Sequence, residues 1–356
     1  MKKIMVVGEF MWPWYQQSVV NALRQIGHNV TIFSWLSFFM QWKMKKSEPE
    51  FKNFYMKFQH RFNFGPTINL INQMLIHRIK NDKPDIIFFY NVKLINKKTI
   101  IKIKSDFPKV VICQYSNDNP FIEGKFMMWK KYLETIKYFD FTFAARNSDF
   151  VNYKNKGAKN IYLLKSYFDP KDDFSEEITN IPEKYKCDVV FAGHYEDDQR
   201  LEFLEEIVKN NIKLNLFGGG WNKVIKKSKL FNKINNKLPI EPAIGKNYRY
   251  AICGSKIALC FFSKINKDYY TRRNFQIPAM KRIVLCEYNN EISKIFIENE
   301  DIIFFRNKYE MCKKIKHLLE DIDFRKLVEN NAYKKLYNDK HSVIDRMSYV
   351  MSIISK

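Results

Sequence analysis

The sequence predicts an α/β fold with two doubly wound parallel-sheet domains in tandem. Short apolar runs alternate with amphipathic segments, and this alternation restarts after a stretch that is rich in proline and acidic residues. With 356 residues, the chain is long enough for two domains of ordinary size. Hydrophobic residues make up 46% and aromatic residues 16% of the sequence, which excludes a wholly disordered chain.

The first domain, residues 1–170, is expected to hold six strands separated by helices. Its apolar runs are short and continuous, which is typical of strands whose two faces are both covered. Gly27 is expected to end the first helix, because glycine accepts the left-handed conformation found at helix ends. The predicted strands are residues 4–8, 29–33, 85–90, 109–115, 139–145 and 160–164, and the predicted helices include residues 16–26 and 68–81.

Residues 171–186 show little periodicity and are expected to link the two domains. The alternation restarts in the second domain, residues 187–338, and a last helical segment occupies residues 339–356. The predicted strands of this half are residues 187–193, 213–217, 256–262, 283–287 and 302–305, and its helices include residues 199–210 and 274–280.

Residues 35–64 break the alternation. Aromatic side chains are interleaved there with lysine and arginine, which is typical of an interfacial helix lying on anionic lipid. A helical insertion whose aromatic side chains pack on the first domain explains the same pattern. We prefer the insertion because phenylalanine is frequent throughout the chain, with 31 residues.

The formal net charge of +23 suggests an anionic partner, which could be nucleic acid, a membrane surface or a phosphorylated ligand. A solvated lysine-rich surface with no specific partner explains the same number. No nucleic-acid-binding motif is recognisable and the basic residues are dispersed, so no specific nucleic-acid partner is expected.

The six cysteines form no Cys-x-x-Cys pair and no zinc-like spacing, and several lie in apolar runs. They are expected to be buried free thiols in a reducing compartment. The N-terminus does not resemble a signal peptide, and no apolar run approaches the ~20 residues of a membrane-spanning helix. A cytoplasmic protein is expected, with a peripheral position on the inner face of the membrane as an open alternative.

Two predicted strands of the second domain run into glycine. Backbone without a Cβ can approach a ligand closely, and a neighbouring helix N-terminus or arginine favours phosphate. Such turns are also ordinary strand–helix connections, and both interpretations stay open. The residues concerned are Gly193 and His194, with Arg200 at the next helix, and Gly218, Gly219 and Gly220, followed by Trp221.

A polar loop, a short helix and a buried strand follow in residues 268–287. Arg272 and Arg273 stand at the start of this helix. Because guanidinium pairs bidentately with phosphate oxygens, the two could neutralise a diphosphate. A pair of solvated arginines without a ligand is the alternative.

In their order along the chain, these elements resemble the C-terminal half of GT-B glycosyltransferases. They are most similar to the CgeB-like group, whose C-terminal domain is of the glycosyl transferases group 1 type. The matching elements are residues 191–193 with Arg200, 218–221, 271–281 and 341–346, and in the first half residues 116–120, 139–148 and 153–158.

The resemblance implies two Rossmann-like domains facing across a cleft, with the C-terminal helix crossing back to pack on the first. It implies a metal-independent transfer of a sugar, without a cofactor, from a nucleotide diphosphate-sugar on the second domain. The acceptor on the first domain would be a glycan, a lipid-linked or a protein acceptor in surface polysaccharide or glycoconjugate synthesis. The expected donor-binding residues are Gly193, His194, Arg200, Gly218, Gly219, Gly220, Trp221, Tyr270, Thr271, Arg272, Arg273, Asn274, Phe275, Gln276 and Glu287.

Asp118 is the first candidate for the catalytic base, and Glu9 is the second. Both follow predicted strands, at the edge where α/β sheets bind ligands. Residues 117–120 also have the composition of a turn, so a structural role for Asp118 stays open.

Two positions depart from the family pattern. Gln276 stands where the family usually has glutamate, and Lys281 stands where it has glycine. Glu287 is a candidate to supply the missing carboxylate to a ribose. The departures keep a second hypothesis open, in which the chain is a non-catalytic, transferase-like partner subunit. An NAD-dependent oxidoreductase is disfavoured, because the first strand is not followed by Gly-x-Gly-x-x-Gly.

Overall fold

The computed structural model describes residues 1–39, 50–124, 126–228, 230, 233–235 and 238–355. The chain divides into two compact units. The first consists of Met1–Lys165 and Val343–Lys356, and the second of Ser166–Ser342. Each unit is built on a parallel sheet, which confirms the predicted fold class.

The sheet of the first unit has the strand order β2-β1-β3-β4-β5-β6, and every pairing is parallel. The predicted strands are found with shifts of one or two residues at their ends. They are β1 (Lys3–Gly8), β2 (Asn29–Ser34), β3 (Ile86–Tyr90), β4 (Val111–Ser116), β5 (Phe141–Ala144) and β6 (Ile161–Leu163).

Helices connect these strands, as parallel neighbours require. The helix α1 ends before Gly27, whose φ of +90° is the left-handed conformation expected of it. The last helix of the chain, α12, packs on α1. The helices of this unit are α1 (Ser18–Gln25), α2 (Glu50–Phe62), α3 (Pro66–Asp82), α4 (Lys97–Asp106), α5 (Phe126–Thr135), α6 (Phe150–Asn155) and α12 (Val343–Ile354).

The sheet of the second unit has the strand order β11-β10-β9-β7-β8 and is also parallel throughout. Its strands are apolar and buried because helices cover them. They are β7 (Cys187–Ala192), β8 (Leu214–Phe217), β9 (Ser255–Cys260), β10 (Ile283–Glu287) and β11 (Ile303–Phe305). The helices are α7 (Arg200–Lys209), α8 (Lys246–Cys253), α9 (Arg273–Ala279), α10 (Lys308–Glu320) and α11 (Ile322–Asn338).

The unit boundaries differ from those expected from the sequence. The stretch that we predicted as a linker, residues 171–186, belongs to the second unit. Two of its members explain why: Tyr185 is buried in the core of that unit, and the Asp173 carboxylate is hydrogen-bonded to Gln276. At the other end, the change from the second unit to the first falls between Ser342 and Val343.

Within residues 35–64, residues 40–49 lie outside the described part of the chain, and the described residues include both buried and exposed aromatic side chains. Trp35 and Phe39 are buried in the core of the first unit, and the His60 ring packs against both, with ring centroids 6.0 and 5.2 Å away. This part of the segment is the predicted insertion that packs on its own domain.

The outer face of α2 is different. Phe54, Phe58 and Phe62, spaced four residues apart, are 68%, 44% and 52% exposed, and the last two rings lie 4.6 Å apart. An exposed aromatic face thus lies beside the basic residues Lys57 and Arg61. Within the described residues, no helix has both the length and the hydropathy needed to cross a membrane.

Candidate functional site

In the second unit, the loops after β7 and β8 interlock at the carboxyl edge of the sheet. The Gly193 amide donates to the Phe217 carbonyl at 2.9 Å, and the Tyr195 amide donates to the Gly219 carbonyl at 2.9 Å. Gly218 has a φ of +141°, and a Cβ on it would lie 1.9 Å from the Gly193 carbonyl oxygen. Glycine is therefore required at Gly218 by the backbone itself.

His194 links the two glycine loops. Its Nδ1 accepts a hydrogen bond from the Gly219 amide at 3.0 Å, so in the neutral ring the proton is on Nε2. A Cβ on Gly219 would lie 2.8 Å from the ring. The exposed imidazole therefore presents an Nε2–H donor at the glycine loops.

Arg200 has a positioning role in the structure. Its Nε and Nη2 each donate to the Asp198 carboxylate at 2.8 Å, and its Nη1 donates to the His194 carbonyl at 2.6 Å. Its side chain is 3% exposed, and Glu196 lies 3.3 Å away. We expected this guanidinium to face a donor phosphate, but it is engaged in holding the loop that carries His194.

Trp221 is hydrogen-bonded to the first glycine loop. Its indole Nε1 donates to the Gly193 carbonyl at 2.8 Å, and the ring is fully buried against Phe191 and Tyr195. Gly220, with a φ of +84°, precedes it at the start of a short 3-10 turn. These two predicted donor-binding residues therefore shape the loop.

Arg273 lies beside the glycine loops. A Cβ on Gly193 would lie 3.0 Å from its Nη1, and its guanidinium carbon lies 5.7 Å from the centre of the Phe191 ring. Its Nη2 donates to the Phe261 carbonyl, which follows β9, at 3.1 Å. The structure thus brings Arg273, from the start of α9, to the ends of β7 and β9.

Arg272 points to a different environment. Its guanidinium carbon lies 4.6 Å from the centre of the Tyr167 ring, and its Nη2 lies 3.6 Å from the Asp173 carboxylate. The adjacent arginines are therefore not equivalent. Arg273 lies beside Gly193, whereas Arg272 is paired with an acid from the predicted linker.

Gln276 donates from its Nε2 to the Asp173 carboxylate at 2.8 Å, and both side chains are buried. The Asp173 carboxylate also accepts from the Asp169 amide at 2.8 Å. Burial raises the pKa of Asp173, and the nearby Arg272 partly opposes this rise. Gln276, which stands where the group that the sequence resembles usually has glutamate, is thus paired with an acid 103 residues earlier in the chain.

A chain of hydrogen bonds fixes the loop before α9. The Thr271 amide donates to Oδ1 of Asn274 at 2.8 Å, and Nδ2 of Asn274 lies 3.2 Å from Sγ of Cys286. Cys260, paired in register with Cys286, has its Sγ 3.5 Å from Oγ1 of Thr271. Thr271 and Asn274 therefore hold the backbone that carries the two arginines.

The remaining predicted residues of this edge divide between the core and the surface. Phe275 is fully buried and packs against His341, with ring centroids 5.0 Å apart. Tyr270 is half-buried and its ring meets Phe275 edge-on. Glu287, at the end of β10, accepts from the Phe262 amide at 3.3 Å and pairs with Lys264.

Lys281 lies at a position whose backbone conformation suits glycine. Its φ is +52°, which is the left-handed region that favours glycine. The side chain is exposed, and its Nζ lies 4.8 Å from the centre of the Tyr333 ring. This position is a turn after α9, and the lysine is not among the groups gathered at the glycine loops.

Tyr248 and Asp173 were missed by the sequence analysis. The Tyr248 hydroxyl is buried and has no hydrogen-bond partner within the described part of the chain. Burial raises the pKa of this phenol, and the neighbouring charge of Arg273 opposes the rise. Neither residue lies in a motif, so only their proximity to the arginines in the fold reveals them.

In the first unit, Asp118 follows β4 and lies in a polar cluster. Its carboxylate accepts from Nδ2 of Asn91 at 3.3 Å and pairs with Nζ of Lys93 at 3.4 Å, and its side chain is 35% exposed. The Ser116 hydroxyl donates to its carbonyl at 2.9 Å. The turn role and an accessible carboxylate are therefore both present at this residue.

Glu9 follows β1, and β3 separates that strand from β4 in the sheet. The two candidate bases thus lie on the same carboxyl edge but not after adjacent strands. Between them stands Asn91, which follows β3 with a φ of +53° and hydrogen-bonds to both Asn117 and Asp118.

The loop after β1 also holds a pair of stacked tryptophans that the sequence analysis did not single out. The Trp12 and Trp14 rings lie 5.0 Å apart at an angle of 20°. Phe10 has a φ of +57°, and Pro13–Gln17 forms a π-helical turn. Strained backbone and π-turns are frequent at functional sites.

No group of three or more metal-ligating side chains is found in the part of the chain that the structure describes. Asp321 and Asp323 have Asp-x-Asp spacing, but the Asp321 carboxylate accepts from the Phe324 amide at 2.9 Å and caps α11. The expectation of a metal-independent reaction stays a prediction.

One family model matches part of the chain. Residues 199–352 match the family described as glycosyl transferase-like. This match contains α7, the glycine loop after β8, the two arginines and most of α12. A search of curated proteins finds no significant match.

Three solved structures illustrate the similarity of the fold. Sucrose-phosphate synthase from Thermosynechococcus elongatus has a TM-score of 0.72 at 9% identity, covering 100% of this chain and 98% of that chain. A glycosyltransferase from Rickettsia africae has a TM-score of 0.66 at 14% identity, covering 99% and 97%. HepE from Anabaena, in complex with UDP-glucose, has a TM-score of 0.68 at 11% identity, covering 100% of both chains.

Proposed function

We propose that this chain, a glycosyltransferase with the GT-B fold, moves a sugar from a nucleotide diphosphate-sugar to a glycan, lipid-linked or protein acceptor. The product would belong to a surface polysaccharide or glycoconjugate. One observation carries the proposal: the Arg273 guanidinium lies beside Gly193, where the glycine loops after β7 and β8 interlock. The UDP-glucose complex of HepE, which has the same fold, supports a nucleotide-sugar as the donor.

The donor diphosphate would be bound by groups of the second unit. Glycine at Gly193 and Gly219 lets phosphate approach the backbone, and the Arg273 guanidinium can pair with phosphate oxygens. The Nε2–H of His194 can donate to a phosphate or to a sugar hydroxyl. As the sugar bond breaks, negative charge grows on the diphosphate, and Arg273 would stabilise that charge without a metal ion.

The acceptor would be bound by the first unit. Asp118 is the proposed base, because its carboxylate is accessible and lies at the carboxyl edge of the sheet. Glu9 is the second candidate for this role. Trp12 and Trp14, in the loop that begins at Glu9, offer rigid aromatic surface that can pack against a sugar ring.

The exposed face of α2 supports a peripheral position on an anionic membrane, where a lipid-linked acceptor would be found. Phe54, Phe58 and Phe62 lie on one face, with Lys57 and Arg61 beside it. Aromatic groups that enter the interface and cations that meet lipid phosphate are the features of interfacial helices. Changing the three phenylalanines to serine should abolish sedimentation with phosphatidylglycerol vesicles.

A non-catalytic partner subunit is the second candidate function. Gln276 favours it, because the amide that replaces the family glutamate is already bonded to Asp173 and carries no charge for a donor hydroxyl. Such a protein would bind the nucleotide without transferring the sugar.

A thermal-shift screen of UDP-, GDP-, CDP- and dTDP-linked sugars and duplex DNA tests the proposal. A ligand at 100 times its dissociation constant should stabilise the protein by ~2.7 kcal/mol. Arg273→Ala should lose this shift, whereas Lys294→Ala, which removes an exposed lysine of the same unit, should keep it. Stabilisation by DNA and by no nucleotide would contradict the proposal. Nucleotide binding without hydrolysis or transfer would favour the partner subunit.

A further inference from the structure

The opposite edge of the second sheet carries a row of charged side chains. The parallel register aligns Arg282, Lys256, Asp188 and Lys213 in that spatial order. Lys256 and Asp188 lie in β9 and β7, and Arg282 and Lys213 directly precede β10 and β8. Neighbouring strands lie about 4.8 Å apart, so the row is roughly 14 Å long. Three of its four members are basic.

These side chains line one cavity of about 530 Å³. The first turns of α11 supply its other wall through Arg325, Lys326 and Glu329, and Lys186 precedes β7 at the same edge. Six basic and two acidic side chains therefore face this space. Because the cavity lies at the amino ends of the strands, it is separate from the glycine loops, which follow their carboxyl ends.

The two arginines are held in fixed positions. Nε and Nη2 of Arg282 donate to the Cys253 carbonyl at 3.0 and 2.7 Å, and Nη1 of Arg325 donates to the Leu318 carbonyl at 2.6 Å. Both carbonyls belong to the last turns of helices, where cations are favoured. Because the carbonyl groups are neutral, these hydrogen bonds fix the two guanidinium groups without neutralising their positive charge. The arginines are therefore already positioned for an anion.

The two acids of the lining neutralise only part of this charge, because six basic side chains face them. Asp188 pairs with Lys256 at 2.8 Å, and its other oxygen accepts from the Lys213 amide at 3.2 Å. Glu329 accepts from the Ile283 amide at 3.3 Å, and burial raises the pKa of its carboxyl. Lys213 and Lys326 are both exposed and line the cavity, and among the described residues neither forms an ion pair with a carboxylate.

We propose that this cavity binds an anion that carries two or more phosphate groups. Its volume lies within the range of pockets that hold small ligands. A row of cations can contact several phosphate groups of one ligand at once, so it suits a ligand with several phosphate groups better than one with a single phosphate group. A concave site also favours a discrete phosphate group, free or as a lipid headgroup, over a flat surface.

Calorimetric titration with inorganic tripolyphosphate tests the proposal. Changing Lys213→Gln and Lys256→Gln together should weaken binding about tenfold, because two of the row's charges are lost. The matched control, Lys154→Gln with Lys159→Gln, removes two exposed lysines of the first unit and should bind as the wild type does. Lys326→Gln alone, at an exposed helix position, should weaken binding about threefold and serves if the double variant does not fold.

Arg273→Ala separates the cavity from the glycine loops. The proposal expects this variant to keep its affinity for tripolyphosphate. Loss of binding in Arg273→Ala with unchanged binding in the lysine variants would overturn it, as would equal affinity in all variants.

Vesicles that contain cardiolipin, a lipid whose headgroup carries two phosphate groups, identify the source of the phosphate. If tripolyphosphate displaces the protein from vesicles and the lysine variants bind vesicles more weakly, the ligand is a lipid headgroup. If the lysine variants bind vesicles as the wild type does but bind tripolyphosphate more weakly, the ligand is a free anion. Vesicle binding that needs both lysines but resists tripolyphosphate would contradict a discrete phosphate site.

Discussion

The Gln276 amide and the Asp173 carboxylate form a buried hydrogen bond of 2.8 Å between α9 and the segment that precedes the second sheet. This bond fastens residues 166–186 to the helix that begins with the two arginines. An acid at Asp173 and an amide at Gln276 are matched partners, because ionised carboxylates only accept hydrogen bonds.

Gln276→Glu should therefore destabilise the protein. It restores the family residue but places a second carboxylate against Asp173, and we expect a loss of about 1–3 kcal/mol in the free energy of unfolding at pH 7. Urea unfolding measures this loss. Adding Asp173→Asn to Gln276→Glu exchanges the two partners and should recover most of the stability. A single variant as stable as the wild type would show that the bond contributes little.

Asp173 should also give stability a pH dependence. Because burial raises its pKa, the folded state holds the proton more tightly than the unfolded chain, whose aspartate pKa is about 3.9. The contribution of Asp173 to stability is thus complete below pH ~3.9 and is lost as the pH rises through the raised pKa. The unfolding free energy of the wild type minus that of Asp173→Asn should fall between pH 3 and pH 7. A flat or rising difference would contradict the raised pKa.

Arg200→Ala should lower the stability of the fold, because the Arg200 side chain bonds to the protein itself. It leaves the partly buried Asp198 carboxylate without its bidentate partner, which costs about 3–5 kcal/mol. Thermal unfolding should show the loss. Arg200→Lys should recover only part of it, because an ammonium group cannot reproduce the fork of hydrogen bonds. If Arg200→Ala were as stable as the wild type but did not bind nucleotide, Arg200 would instead be a donor-binding residue.

Gly218→Ala and Gly219→Ala should have different effects. A methyl group on Gly218 meets backbone at 1.9 Å, so this variant should fold poorly. A methyl group on Gly219 meets the His194 ring, which can move, so that variant should fold and bind nucleotide more weakly. Circular dichroism and nucleotide titration separate the two outcomes. Unchanged affinity in Gly219→Ala would argue against a donor role for His194.

Asp118→Asn should lower the rate of transfer about 10²–10⁴-fold and leave donor affinity unchanged, because the amide cannot take a proton. Initial rates with the donor found by the screen measure this effect. Asp106→Asn, which alters a surface ion pair of the same unit, is the matched control. If only this control were slowed, or neither variant were, Glu9→Gln would be the next candidate base.

The strands of both sheets could be predicted from the sequence because parallel strands covered on both faces are short apolar runs. The consecutive glycines after β8 marked a turn or a place where a ligand can approach the backbone, and the structure shows that Gly218 is required because it packs on the Gly193 carbonyl. Local pattern was sufficient for these features.

The roles of individual side chains needed the fold. Arg200 and Arg273 look alike in the sequence, since each stands at the start of a helix after a strand, yet one is tied to Asp198 and the other lies beside Gly193. Asp173 was missed because its partner is 103 residues away and its surroundings lack periodicity. Trp12 and Trp14 were missed because their stacking depends on an unusual turn.

The return of residues 343–356 to the first unit makes that unit discontinuous in the chain. The second unit is in effect an insert between the sixth strand of the first unit and its final helix. During synthesis, α1 can meet its partner α12 only after residues 343–354 have left the ribosome, whereas the second unit is complete earlier. The order of folding can therefore be the reverse of the order of translation, and a chain that stops at Ser342 should expose the face of α1 that α12 covers.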